Sequence, residues 1–136
     1  MKKLILAVDM VIQNDENQVA LIKRKYPPFA GQWALIGGQV EIERDETFVD
    51  AALREAGEEA GVQITLREII GVYDDPKRDP RGRVISVAFS TYTPYRKLVG
   101  SHEGEVEWFS LSELPQLAFD HRKIIEDGIF KCLVKQ

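Results

Sequence analysis

Three carboxylates follow one arginine in the segment Arg54-Glu55-Ala56-Gly57-Glu58-Glu59-Ala60-Gly61-Val62. Residues three and four apart are surface neighbours on a helix, so Glu55, Glu58 and Glu59 share one face. Like charges that close repel, and a solvated helix gains nothing from them. A divalent cation would remove the repulsion, and hard carboxylate oxygens suit Mg²⁺ or Mn²⁺. Eight residues before Arg54 stands a fourth acid, Glu46, and further upstream the pair Gly37-Gly38. Taken alone, the segment leaves open a plainer alternative: an acidic solvated face with an Arg54–Glu58 ion pair.

Set beside its neighbours, this stretch resembles the Nudix box of the Nudix hydrolases. That pattern is a glycine, five residues, Glu, seven residues, then Arg-Glu-aliphatic-x-Glu-Glu-x-Gly-aliphatic. Glu46, Arg54, Glu55, Glu58, Glu59, Gly61 and Val62 match it with correct mutual spacing. The resemblance implies metal ligands at Glu55, Glu58 and Glu59, with the carbonyl of Gly38 helping to hold the ion. It implies that Arg54 fixes one box acid in a single rotamer, and Glu46 is the acid expected there. Glu46, Arg54, Glu55 and Glu58 are accordingly the candidate catalytic residues, with Glu58 or Glu59 to activate water. Two departures stand out. The box glycine falls at Val40, so Gly37-Gly38 lies two residues early, as if the loop carried a two-residue insertion. Ala56-Gly57 replaces a bulkier aliphatic and a non-glycine, and glycine inside a helix costs roughly 0.5–1 kcal/mol.

Several elements must position these residues. Leu4 to Ile12 reads as a buried strand, Asn14-Asp15-Glu16-Asn17 as a turn, and Val19 to Ile22 as the returning hairpin strand. Arg24 to Gly31 carries two prolines and is a loop. Trp33 to Ile36 is a short strand ended by the paired glycines. Thr47 and Asp50 form a capping box for the box helix, whose buried face is Phe48, Ala51 and Ala52, with the glutamates elsewhere on the cylinder. Gly61 fits the left-handed position past its end. Ile64 to Tyr73 reads as a bent strand, Asp74 to Gly82 as a loop, and Val84 to Phe89 and Val106 to Phe109 as strands. A helical turn is expected at Leu111 to Leu114, then a helix capped by Asp120 with Ile124, Ile125, Ile129, Phe130 and Leu133 at helical spacing. This pattern implies a mixed sheet covered on two faces. The resemblance gives it the α/β/α sandwich of Nudix proteins, a single domain over 1–136.

Composition limits the classes. A chain of 136 residues with 44% apolar and 29% charged residues is ordinary for one globular domain. A net charge of −4 gives no footprint for nucleic acid, and no stretch approaches membrane-spanning length. The apolar run after Lys2-Lys3 stops at Asp9, too short for a secretion signal, so a cytoplasmic location is expected. Cys132 is the lone cysteine and reads as a core residue, which excludes a disulfide or a cysteine zinc cluster within the chain. Homodimers are frequent among the proteins resembled.

Substrate readings come from the loops. Pro76, fifteen residues beyond Gly61, is similar to a marker of the ADP-ribose pyrophosphatase branch. Arg78-Asp79-Pro80-Arg81-Gly82 and Ala118 to Ile125 are similar to the same branch. Arg78, Arg81 and Arg83 offer planar donors suited to phosphate, and Arg24 could meet a phosphate from the opposite side. Tyr26, Phe29 and Trp33 could stack an adenine or simply pack. Glu103 and Glu105 are alternatives for a water-activating base, against the reading of each as a solvated loop acid. His102 reads as a surface residue, and His121 as decoration at a helix start. Arg24, Pro76, Arg81 and Glu103 form the substrate-binding set. The resemblance therefore implies a Mg²⁺-dependent pyrophosphohydrolase cleaving a nucleoside diphosphate linked to another group, with ADP-ribose giving AMP and ribose 5-phosphate. The alternatives are an oxidised nucleoside triphosphate or a dinucleotide as substrate, or a non-catalytic nucleotide sensor.

Overall fold

The computed structural model describes residues 3–45 and 47–134. Six strands and two helices follow in the order β1 (Leu4–Gln13), β2 (Gln18–Lys23), β3 (Trp33–Gln39), α1 (Phe48–Ala60), β4 (Leu66–Tyr73), β5 (Arg83–Tyr92), β6 (Val106–Ser110) and α2 (His121–Val134). They form one mixed sheet, ordered β4-β5-β1-β3-β2-β6. β1 and β5 run parallel from Leu4↔Arg83 to Gln13↔Tyr92, and the other pairings are antiparallel. The expected α/β/α sandwich is what forms.

Period-two alternation along β1 builds two cores. Val8, Met10 and Ile12 face α1 and its Ala51, Ala52, Ala56 and Ala60, whereas Val11 faces Ile124 and Ile125 of α2. Thr47 caps α1 through the expected capping box with Asp50, and Gly61 closes it at φ 67, where a residue without Cβ is unstrained. The bend expected before Tyr73 is two register shifts in β4.

Three expectations need correction. β3 does not stop at the glycines but runs through them, with Gly37 opposite Asp9 and Gly38 opposite Val8. Glycine weakens a strand only by entropy, and β1 supplies a full ladder to hold it. β2 meets β1 at one register pair and otherwise lies between β3 and β6. Leu111–Leu114 forms only a turn, with Glu113 N–H donating to the Ser110 carbonyl. The reading of Phe130, Cys132 and Leu133 as core side chains lies outside the described residues. Among the described residues, no helix is long and apolar enough to cross a membrane.

Gly57 sits on the exposed side of α1, and a Cβ there would meet no atom within 4 Å. Replacing Gly57 by alanine should raise unfolding free energy by about 0.5–1 kcal/mol, read from the urea midpoint. A midpoint that fails to rise would show that this helix position is not limited by backbone entropy.

Candidate functional site

The alanines that seat α1 also aim its acids. Glu55 and Glu59 follow Ala51 at steps of four, so they continue the buried stripe rather than pointing away from it. The small side chains let the helix lie close to β3, and both carboxylates end against the glycine pair. Gly37 N–H donates to Glu59 Oε1 at 2.9 Å. A Cβ at Gly38 would stand 2.7 Å from the Glu55 carboxyl carbon, so only glycine leaves room for that carboxylate. The glycine pair thus keeps its place beside the acids. The two extra residues are absorbed further on, in the turn Glu41–Asp45, where Arg44 N–H and Asp45 N–H both donate to the Glu41 carbonyl.

Glu103 arrives from the loop before β6. Its backbone N–H donates to Ser101 Oγ, and Ser101 and Gly104 bridge each other in a tight turn. One oxygen each from Glu55, Glu59 and Glu103 can lie within 4.8 Å of the others. Burial, together with a hydrogen bond shared with Glu103, pushes the Glu59 carboxyl up to about 10. Burial likewise raises Glu55 to about 7, against the pull of Arg54. Three crowded carboxylates of which two resist ionisation are short of positive charge. A hard divalent cation would supply it, and the all-oxygen donor set fits Mg²⁺ or Mn²⁺.

Arg54 is the hub of the second layer. Its Nε and Nη2 donate to the two oxygens of Asp45 at 2.9 and 2.8 Å, and Nη2 reaches the Gln39 carbonyl at 3.1 Å. Its Nη1 meets Glu55 at 2.7 Å, Glu41 at 2.9 Å and Glu58 at 3.2 Å. Asp45, held well below the usual carboxylate range at about 2 by this guanidinium, is an acid that sequence reasoning passed over. Glu46, expected in that role, lies outside the described residues. Glu58 stays outside the trio: it is half exposed and paired with Arg44 at 2.7 Å as well as with Arg54.

These groups line a cavity of about 670 Å³ that also takes in Arg24, Tyr26, Arg44, Arg78, Asp79, Arg81, Phe119 and His121. That volume suits a small molecule. Arg24 and Arg81 both lie over the Phe119 ring, at 4.9 and 5.7 Å. Arg81 is bound through Nε and Nη2 by Asp79, while Arg24 Nε donates to the Pro28 carbonyl. Pro76 and Arg83 are exposed and do not line this cavity, and neither does Glu105. Pro76 instead opens the turn in which Arg78 N–H donates to the Asp75 carbonyl. Trp33 packs edge-on to Phe109 on the α2 side, and Phe29 meets the Phe119 edge, so of the three aromatic candidates Tyr26 lines the cavity.

His121 is no surface decoration. It is 5% exposed, and its Nδ1 accepts from Leu35 N–H at 3.0 Å. That leaves the proton on Nε2, which lies 3.3 Å from Asp9 Oδ1. Asp9 Oδ2 accepts from Ser86 Oγ at 2.6 Å. The Asp120 carboxylate accepts twice from Arg78 instead of capping α2, with Arg78 at 3.6 Å from Asp9. Sequence carried little sign of this network, because the residues that meet in it lie 42 to 112 residues apart.

A NUDIX domain model matches residues 3–128. The chain belongs to the Nudix family. It is 47% identical over 123 residues to an ADP-ribose pyrophosphatase from Methanocaldococcus jannaschii, covering 90% of this chain and 71% of that one. It is 31% identical to the ADPR-responsive transcriptional repressor NtrR of Acinetobacter baylyi, of which it spans 52%. Among solved structures, the Nudix domain of Shewanella oneidensis NrtR complexed with ADP ribose superposes at a TM-score of 0.88 with 28% identity, covering 97% of this chain and 90% of that one. A MutT/nudix family protein from Enterococcus faecalis reaches 0.86 with 32% identity over the whole of this chain and 64% of its own.

Burial holds His121 below its ordinary value of 6.5. The unfolded chain therefore takes up a proton there that the folded Nudix domain refuses. The stability that His121 protects is full above about pH 6.5 and is lost as pH falls below it, by at most about 1.4 kcal/mol per pH unit. Replacing His121 by asparagine, whose amide oxygen can still accept from Leu35, should flatten the fall in stability between pH 7 and pH 5. Equal slopes for the two proteins in urea titrations at each pH would contradict this.

Proposed function

We propose that this Nudix cavity hydrolyses ADP-ribose to AMP and ribose 5-phosphate, with Glu55, Glu59 and Glu103 holding Mg²⁺ or Mn²⁺. The observation that carries the reading is the trio of crowded carboxylates, two of them buried, in the same cavity as Arg24. Among the described residues, Arg24 is the one cavity arginine without a carboxylate partner. An acid trio that needs a cation, beside an arginine that needs an anion, matches a metal-bound diphosphate. The choice of ADP-ribose rests on the archaeal pyrophosphatase at 47% identity and on the ADP-ribose-bound Nudix domain.

When bound, the ion polarises a phosphoryl oxygen and lowers the pKa of a coordinated water. The chain's own residues do the rest. Gly37 and Arg54 fix the Glu59 and Glu55 carboxylates in single orientations, so little ordering is left for the moment of reaction. Arg24 neutralises phosphate charge beside the acids. Glu103, half exposed on its turn, is placed to accept a proton from the attacking water. Water adds across the bridging P–O–P linkage: its oxygen joins one phosphorus, and the bridging oxygen leaves on the other phosphate. Glu58 serves the rim by holding Arg44 and Arg54. With one cysteine in its sequence the chain needs no oxidising compartment, and a cytoplasmic setting completes the proposal.

Two measurements test this. ADP-ribose should rank first in kcat/KM with Mg²⁺ against NADH and nucleoside triphosphates, and a rival ranking far above it would overturn the substrate. Glu59→Gln should lower kcat by about a hundredfold or more, and Glu58→Gln by much less. The reverse order would move the metal to Glu58. ADP-ribose binding by calorimetry without AMP release would favour the sensor reading that the NtrR relative raises.

A further inference from the structure

Phe119 holds a backbone conformation that bulky residues avoid. Its φ is 54, in the left-handed region, where asparagine and glycine are at home. Phe29, at φ 61, is in the same region, and the two rings meet edge to face at 4.8 Å. The chain is pinned on both sides of Phe119. Ala118 N–H donates to the Trp33 carbonyl at 2.8 Å, and the Asp120 carboxylate is clamped by Arg78. Any residue at 119 must therefore make the reversal, and asparagine would make it with less strain. Strain kept at such a position points to what the side chain does.

The ring packs one side on the apolar core that faces α1, yet its polar neighbours decide the matter. Arg24 and Arg81 both stand over it, and the His121 ring lies 5.2 Å away. Two guanidiniums repel each other, and a shared aromatic face attracts both. Each is also fixed by its inner edge, Arg24 through Nε on Pro28 and Arg81 through Nε and Nη2 on Asp79. The outer N–H groups of each remain for a ligand. We propose that Phe119 is a positioning residue for substrate binding: its ring poses Arg24 and Arg81 as a paired clamp for the diphosphate, and its left-handed backbone is retained for that purpose. This rests on the reading that the cavity takes a diphosphate. Burial, and after it the nearby Arg81, lower the Arg24 pKa, as expected of a guanidinium held close to a second one.

The test separates stability from binding. Phe119→Asn should melt at or above the wild-type temperature, because the strain is relieved. Its Kd for ADP-ribose, measured by calorimetry in EDTA where turnover is absent, should rise about tenfold. In Mg²⁺ its KM should rise by a similar factor, and kcat should fall less. Phe119→Tyr, which keeps the ring face, should bind within about twofold of wild type. Wild-type affinity in Phe119→Asn, or an equal loss in Phe119→Tyr, would overturn the proposal. Should Phe119→Asn not fold, Phe119→Leu decides. Its binding loss should vanish when Arg24→Gln is already present, and an undiminished loss would overturn the proposal. A wild-type protein that neither binds nor cleaves ADP-ribose would count instead against the substrate named above, and the same variants would then be read with the diphosphate it does cleave.

Discussion

Glu55 and Glu59 are drawn out of water by the packing of α1. The helix buries a stripe of alanines on β1 and β3, and these two acids sit at the next positions of that stripe, against Gly37 and Gly38. Desolvation disfavours the charged form of each, and Glu103 adds a third carboxylate. Such an arrangement persists only with protons or a cation in its midst. Close helix–sheet packing is what concentrates negative charge here, so the fold and the chemistry share one cause. A larger residue at Gly38 would collide with Glu55 before it disturbed any strand pairing.

Around that trio the charges are graded by burial. Arg54 is largely buried and meets both oxygens of a buried Asp45, so it fixes geometry at a cost in desolvation that its several partners offset. Arg44 and Glu58 are about half exposed, and their pair is of the kind that contributes little to stability. Burial therefore falls off from Glu55, Glu59, Arg54 and Asp45 toward Arg44 and Glu58. Glu58 at the rim is free to exchange partners, whereas Glu55 and Glu59 are not.

Residues close in sequence were legible, and those that meet across the fold were not. The box helix, its Thr47 cap and its Gly61 end follow from local spacing, because capping and helical periodicity act within a few residues. Glu55 and Glu59 were also readable as candidate ligands. Their orientation was not, since the alanine stripe shows which face is buried only once β3 lies beneath it. Asp45 as a partner of Arg54 was not readable, because the turn Glu41–Asp45 decides where its carboxylate points. Glu103 looks like any exposed loop acid until its turn sets it over α1. His121, Asp9, Ser86, Arg78 and Asp120 come from four separate segments, and no spacing rule links them.

The order of charge across the cavity bears on which phosphate compounds fit. At one side stand the carboxylates, which a divalent cation would neutralise. Next comes Arg24, whose field already reaches Glu59 and Glu103. Beyond it Arg81 arrives balanced by Asp79, and Arg78 is balanced by Asp120. On the wall formed by Leu35, His121 and Asp9, Leu35 N–H donates to His121 Nδ1 and Asp9 accepts from Ser86 behind it. A metal-bound diphosphate would draw on the cation, on Arg24 and on the outer N–H groups of Arg81. A triphosphate would bring further negative charge toward arginines already matched by carboxylates, and that charge would be desolvated without compensation. The same wall can accept an uncharged sugar or base beside the diphosphate. In a cavity that takes a diphosphate as proposed, discrimination would come from how few of its cations are uncommitted, not from how many it contains.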